Sequence, residues 1–385
     1  MNIRELSTLI NPVPFLFLVL VSTNCCLSQS KSNSIGSLRF LDEFVIPYQQ
    51  PFQGTTIGGL SGIDYDPTHD EFYVISDDRS AINPARFYKI KIKLKKEAID
   101  TVEFLSMNYL LQTDGKHYPD SKKDRAHAPD PEAIRYNPKS NQLVWSSEGE
   151  RITRGKDTIL LNPGVYTIQT DGRYVNNYNL PSNAAMHSVE TGPRQNGTFE
   201  GLTFSNDFSS LYVNVEEPLF EDGPRATNTE TKSIIRIYRF DVSSQKNTAQ
   251  FAYRLEAVAY PAIPDDAFKV NGVPDILYVD KDRLLVIERS FSTGRLPCTV
   301  KVFLVDLSRA DNVISIPSLT DKLTVRRATK KLLLNMDSLD RYIDNIEGMS
   351  WGPVLPNGHK TLIFVSDNNF QAIEKTQFFL FEVIP

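Results

Sequence analysis

Acidic residues recur at fixed distances from aromatic residues along this sequence. Four positions before Tyr65, Tyr136, Phe204 and Trp351 stand Ser61, Glu132, Glu200 and Glu347. Twelve positions after Tyr65, Tyr136 and Phe204 stand Asp77, Glu148 and Glu216. Glu288 follows Tyr278 by ten, across a shorter turn, and Asp367 follows Trp351 by sixteen, across a longer one. Carboxylates gathered in a confined space cannot all stay ionised and unpaired; they retain protons or recruit a cation. All-oxygen donors favour a hard ion, Ca²⁺ more readily than Zn²⁺. Arg79 and Arg289 stand close to acid positions, and a guanidinium matches a phosphate bidentately. These residues suit a metal-assisted site. Glu132, Glu200 and Glu347 would hold the cation, and Glu148 or Glu216 would act as general base. Arg79 and Arg289 would neutralise the departing charge. Ser61, Asp77, Asp78, Glu288 and Asp367 would contact substrate. The alternative is structural: the acids pair with Arg79, Arg135 and Arg289 or with backbone N–H groups, and fasten neighbouring units together.

Other chemistries find little support. Gly59-Leu60-Ser61-Gly62-Ile63 lacks the second glycine of a G-x-S-x-G nucleophile elbow, because Ile63 stands there. No glycine-rich phosphate loop, H-E-x-x-H or paired C-x-x-C occurs, which argues against nucleotide hydrolysis and structural zinc. Cys298 lies in an apolar strand-like stretch and reads as a small buried hydrophobe. Two long polar insertions, one carrying His117 and His127 and the other running from Pro218 to Thr231, could cover a site as lids or remain surface loops.

The elements that must position these residues are hairpins. Five segments begin at Gly59, Pro131, Phe199, Pro274 and Ile346. Each is a short apolar strand ending in an aromatic, a turn rich in Asp, Asn, Pro, Gly and Ser, and a second apolar strand ending in acid. Ser61, Glu132 and Glu200 are spaced 71 and 68 residues apart, which leaves room for two more strands per unit. Four strands repeated is the sequence form of a propeller blade. The last unit ends with a third strand from Thr376, and the stretch from Leu38 can supply its fourth. The expected fold is therefore all-β: a single β-propeller over residues 36–385, closed by an N-terminal strand. Five blades fit the repeat; six would require a degenerate blade in a linker. An antiparallel hairpin sets the start of one strand beside the end of the next, so both acidic sets should meet at one axial mouth.

The chain of 385 residues is 23% charged and 41% apolar, with net charge −5. That excludes a disordered tail and gives no electrostatic case for nucleic acid. Residues 14–21 form an apolar run preceded by Arg4, too short to span a bilayer. They read as a secretory signal over residues 1–28, followed by a linker over 29–35. The expected location is outside the cytoplasm, with no transmembrane span after cleavage. A lipid anchor at Cys25 or Cys26 is a weaker alternative, because Ser22-Thr23-Asn24 fits a lipobox poorly. Cys298 then remains as a single thiol, so a large core rather than disulfides must hold the fold.

The combination GGLSGIDYDP, SDDR, DPEAIRY, FEGLTFS, IERS and DNIEGMSWGP, ending in IFVSDNNF, resembles the phytase-like proteins described by an esterase-like activity of phytase. The resemblance spans residues 36–385. It implies a propeller with many acidic residues and cleavage of a small-molecule phosphoester or ester, and it falls on the acid and arginine positions named above. Pro274 and Asp275 depart from the Glu-Gly pair of the other units. The expected state is a monomeric hydrolase; the alternative is a non-catalytic binding propeller of the cell envelope.

Overall fold

Side chains alternate along a strand, and here both faces of most strands are apolar. In the strand Glu71–Ser76, Phe72 and Val74 join one apolar cluster while Tyr73 and Ile75 join another. In Thr361–Asp367, Leu362 and Phe364 face one cluster and Ile363 and Val365 the next. Such sheets must be covered on both sides, and a ring of sheets stacked face to face achieves this.

The computed structural model describes residues 35–154, 157–229, 232–320 and 324–385, and it is such a ring. Five antiparallel sheets of four principal strands form the blades. The inner strand of each is Leu60–Asp66, Pro131–Asn137, Phe199–Phe204, Ile276–Asp280 and Asn345–Gly352 in turn. The second strands are Glu71–Ser76, Gln142–Ser147, Ser210–Val215, Arg283–Ser292 and Thr361–Asp367. The count is therefore five blades, not six. The fourth sheet carries an extra strand, Lys269–Gly272, paired to the far half of Arg283–Ser292. In the second blade a side hairpin, Glu150–Arg154 with Asp157–Leu161, precedes the outer strands.

The fifth blade closes the ring. Its fourth strand is Ser37–Ile46, antiparallel to Thr376–Ile384, with Leu38 opposite Val383 and Ile46 opposite Thr376. This removes a free sheet edge and ties both ends of the domain into one sheet. Residues 1–28, and the linker apart from Ile35, lie outside the described residues, as do Cys25 and Cys26. Cys298 is buried, and burial pushes its thiol up to about 12. No helix among the described residues is long and apolar enough to cross a membrane.

Candidate functional site

Four inner strands begin with a β-bulge, and the bulged residue is the recurring Ser or Glu. Pairing slips by one between Leu60 and Gly62, Pro131 and Ile134, Phe199 and Leu202, and Ile346 and Gly348. The slips enclose Ser61, Glu132, Glu200 and Glu347. A bulge leaves one residue out of the ladder and re-aims its side chain. The small residue that follows is needed because neighbouring inner strands touch. A Cβ on Gly62 would sit 2.7 Å from Ala133 Cα, and one on Gly201 2.5 Å from Asp275 Cα.

The register also fixes the second acidic ring. Tyr65, Tyr136, Phe204, Tyr278 and Trp351 lie opposite Phe72, Leu143, Leu211, Leu284 and Leu362. Five residues beyond those partners stand Asp77, Glu148, Glu216, Arg289 and Asp367. The fourth blade therefore contributes a guanidinium to a ring of four carboxylates.

Asp77, Glu132, Glu148, Glu200, Glu216, Arg289 and Glu347 converge on a cavity of about 680 Å³ at one end of the axis. Carboxylate oxygens of Asp77, Asp130 and Glu132 lie within 4.8 Å of one another, and so do those of Glu132, Glu148 and Glu200. Glu132 is common to both triads. Burial, reinforced by the neighbouring carboxylates, raises Asp77, Glu132 and Glu200 well above the usual range. Burial pushes Asp130 up to about 8 against the pull of Arg79, and Glu148 up to about 7 with help from Glu216. Asp77 Oδ1 is buried with no hydrogen-bond partner among the described residues. Hard, anionic oxygens crowded around an orphaned acceptor fit a hard divalent cation.

Cations of the protein hold the rest. Arg289 Nη2 donates to Glu216 Oε1 at 2.5 Å, and its Nη1 donates to Glu347 Oε1 at 3.1 Å and to Asn345. One side chain thus joins the third, fourth and fifth blades. Arg79 lies 3.3 Å from Asp130 and donates to Glu150. Asp367 is buried behind the mouth and accepts from the Asn369 N–H at 2.7 Å; burial, then Glu347 and Asp77, raises its carboxyl.

Arg79 and Asp367, also expected at the mouth, do not line the cavity, and three further expected residues are elsewhere. Ser61 Oγ donates to the Glu132 carbonyl at 2.6 Å, fastening the first blade to the second. Asp78 accepts from the N–H groups of Ala81, Ile82 and Asn83 and pairs with Arg86 at 2.7 Å, so its carboxylate is consumed in a loop. Glu288 lies one position off the ring. The inner strand of its blade has no bulge at its start, only a register shift at its far end between Tyr278 and Asp280, so Arg289 takes the mouth and Glu288 turns to Tyr253, Asn271 and Lys330. The expected cation set also changes. Glu347 is engaged by Arg289 and stands outside both triads, whereas Glu148 belongs to one of them.

Asp130 and Glu150 were not singled out as site residues. Asp130 comes from the loop before the second inner strand, and the Asp-Pro-Glu run ending in Glu132 was its one signal. His127, in that same insertion, is exposed beside Asp124 and outside the cavity. The second insertion supplies Arg225, paired with Glu217 at 2.7 Å; its residues 230 and 231 lie outside the described residues. One wall of the mouth is apolar. Phe268, Leu296 and Ile373 line it while remaining 58%, 71% and 75% exposed.

The fold and this mouth define a five-bladed β-propeller with an acidic axial cavity. The chain belongs to the Phytase-like family, described as "Esterase-like activity of phytase", whose model matches residues 55–370. Among curated proteins no sequence matches it. Among solved structures it is similar to an endo-arabinase from Bacteroides thetaiotaomicron, at 10% identity over 89% of this chain and 97% of the other, with TM-score 0.41. It is also similar to a gluconolactonase from Xanthomonas campestris, at 12% identity over 83% and 71%, with TM-score 0.34. A 6-phosphogluconolactonase described as putative, from Bacteroides uniformis, is similar at 11% identity over 83% of both chains, with TM-score 0.36.

Proposed function

We propose that the acidic mouth hydrolyses a small phosphoester or carboxyl ester with the aid of a divalent cation, Ca²⁺ first among the candidates. The observation that carries this reading is the pair of carboxylate triads sharing Glu132 beside the unpartnered Asp77 Oδ1. A cation held by Asp77, Asp130, Glu132, Glu148 and Glu200 would supply charge neutralisation and Lewis acidity toward a phosphoryl or acyl oxygen. Arg79 orients Asp130 from outside the cavity. Arg289 places positive charge opposite the acids, where charge on a leaving oxygen would develop. Glu347 spends Oε1 on Asn345 and Arg289, which leaves Oε2 to accept a proton from an attacking water. The apolar wall of Phe268, Leu296 and Ile373 takes the part of the substrate that is not cleaved. With the leader read at residues 1–28, the enzyme would act outside the cytoplasm as a monomer.

The test is turnover of p-nitrophenyl phosphate, bis(p-nitrophenyl) phosphate and p-nitrophenyl acetate, with Ca²⁺ and after chelation. Metal-dependent turnover of at least one, lost in Glu200→Gln, supports the reading. No turnover of any class, with Glu200→Gln matching wild type in metal content, overturns it. The bridge from Arg289 to Glu216 and Glu347 favours a second reading, a non-catalytic propeller whose acids fasten its blades. Under that reading, Arg289→Met lowers the melting temperature while Ca²⁺ leaves it unmoved.

A further inference from the structure

The five repeated aromatics end the inner strands at the pole opposite the acids. There they line a second cavity of about 590 Å³. Tyr65, Tyr136, Phe204, Tyr278 and Trp351 each come from a different blade, so the repeat builds an aromatic wall around the axis. Their polar ends are tied back. Tyr65 Oη donates to Asp70 at 2.9 Å, Tyr136 Oη to Asn141 at 2.9 Å, and Trp351 Nε1 to the Tyr278 carbonyl at 3.2 Å. The rings are thus positioned before any ligand arrives, which lowers the ordering cost of binding.

Polar groups on this cavity come from Asp64 and Arg135. Arg135 is buried and spends Nη1 and Nη2 on the Ile63, Ile276 and Met349 carbonyls and on Asp275. Its Nε is buried with no partner among the described residues. Asp64 Oδ2 accepts from the Tyr136 N–H at 2.8 Å, while Oδ1 accepts from the Ser350 hydroxyl at a long 3.5 Å. Asp64 therefore presents an acceptor with spare capacity to the cavity. Lys360 adds a charge at the rim, 4.9 Å from the Trp351 ring centre. Asp64, Asp275, Arg135 and Lys360 sum to zero charge, which favours a neutral ligand over an ion. A hydroxyl can donate to Asp64.

We infer that this second cavity binds a neutral polyhydroxylated ring, a single sugar unit, with a hydroxyl on Asp64 and its C–H faces against the aromatic wall. The volume falls within the usual range for a small-ligand site. The Arg135–Asp275 pair lies between the poles, so this site is separate from the acidic mouth and requires no metal.

The sequence contains two tryptophans, and Trp145 is buried in the second blade. In Trp145→Phe, emission reports on Trp351 alone. Methyl glucoside, methyl galactoside and methyl mannoside are titrated into this protein and, calorimetrically, into wild type, with choline as the organic-cation control. The expected result is saturable quenching or enhancement by at least one glycoside, unchanged by chelator. Asp64→Asn keeps an acceptor for the Tyr136 N–H and should weaken binding about tenfold or more. Val354→Trp, at an exposed rim position, should abolish binding without touching Asp64 or Arg135. A trisaccharide binding more tightly than its monosaccharide identifies a glycan end as the source, and the reverse a free sugar; either supports the site. No saturation by any glycoside up to about 50 mM, beyond weak millimolar binding, overturns the inference. So does choline binding more tightly than every glycoside, or binding unaltered in both variants.

Discussion

The Arg135 guanidinium donates to both carboxylate oxygens of Asp275, at 2.8 and 2.7 Å, and so joins the second blade to the fourth near the propeller axis. Asp275 Oδ2 also accepts from the Met349 N–H of the fifth blade at 2.7 Å. The arginine side chain is 2% exposed and the aspartate side chain 0%. Removing one member strands a buried charge. Asp275→Asn and Arg135→Met should each destabilise the fold by about 3–5 kcal/mol, whereas the double replacement should cost less than the sum. Urea denaturation of the four proteins measures this. Additive losses would mean that the two groups act independently.

Glu132 serves both carboxylate triads, so its replacement should act on both at once. In wild type, Ca²⁺ at about a hundred times its dissociation constant should add about 2.7 kcal/mol of stability. Glu132→Gln should lose most of that increment. Glu216→Gln should retain it, because Glu216 belongs to Arg289 and to neither triad. Thermal melts with Ca²⁺ and with chelator compare the two variants. Equal loss in both would place the cation nearer Arg289 than the triads allow.

Burial pushes Glu148 and Glu347 up to about 7 and Asp130 up to about 8. In the unfolded chain such groups titrate near about 4. Between these limits the folded metal-free protein holds protons that the unfolded chain has released. Its stability is therefore greatest below the unfolded values and falls as pH rises through about 4 to 8. Ca²⁺ reverses the trend, because it binds the ionised carboxylates and displaces their protons. Melting temperature against pH should slope downward in chelator and flatten or rise with Ca²⁺, and Ca²⁺ affinity should increase with pH. A metal-free protein whose stability rises from pH 5 to 8 would mean that these acids are ionised and paired in the fold.

The propeller was legible because its cause is local and repeated. Strands such as Glu71–Ser76 and Thr361–Asp367 are apolar on alternate residues of both faces, and the aromatic that ends each inner strand marks the unit. The closing strand was legible because Thr376–Ile384 left the last blade one strand short. Ser61 and Glu288 were misplaced for a different reason. A bulge adds one residue to a strand without changing its composition, so spacing alone cannot show that four inner strands begin with one and the fourth blade's does not. Spacing does not mark Asp130, which a loop carries to Asp77 and Glu132, or Glu150, which a side hairpin carries to Arg79. In the sequence the five aromatics mark only the repeat, and their gathering around the opposite pole follows from ring closure.

The one-residue difference between Glu288 and Arg289 separates stability from chemistry. Glu288 Oε1 accepts from Tyr253 at 2.6 Å and Lys330 at 2.6 Å, and Oε2 accepts from the Glu256 N–H at 2.9 Å and Asn271 at 2.7 Å. It is 1% exposed. Glu288→Gln would turn an amide donor toward groups that are themselves donors and leave Lys330 without its buried partner. It should cost about 3–5 kcal/mol of stability while leaving turnover per folded molecule unchanged. Arg289→Met would leave Glu216 and Glu347 without their shared guanidinium and remove the positive charge that faces the acids. It should lower kcat by about 100-fold or more with a smaller loss of stability. Initial rates and urea midpoints measured on the same preparations distinguish the two. If Glu288→Gln loses turnover and Arg289→Met keeps it, the ring follows sequence spacing rather than strand register, and the geometry of the mouth must be redrawn.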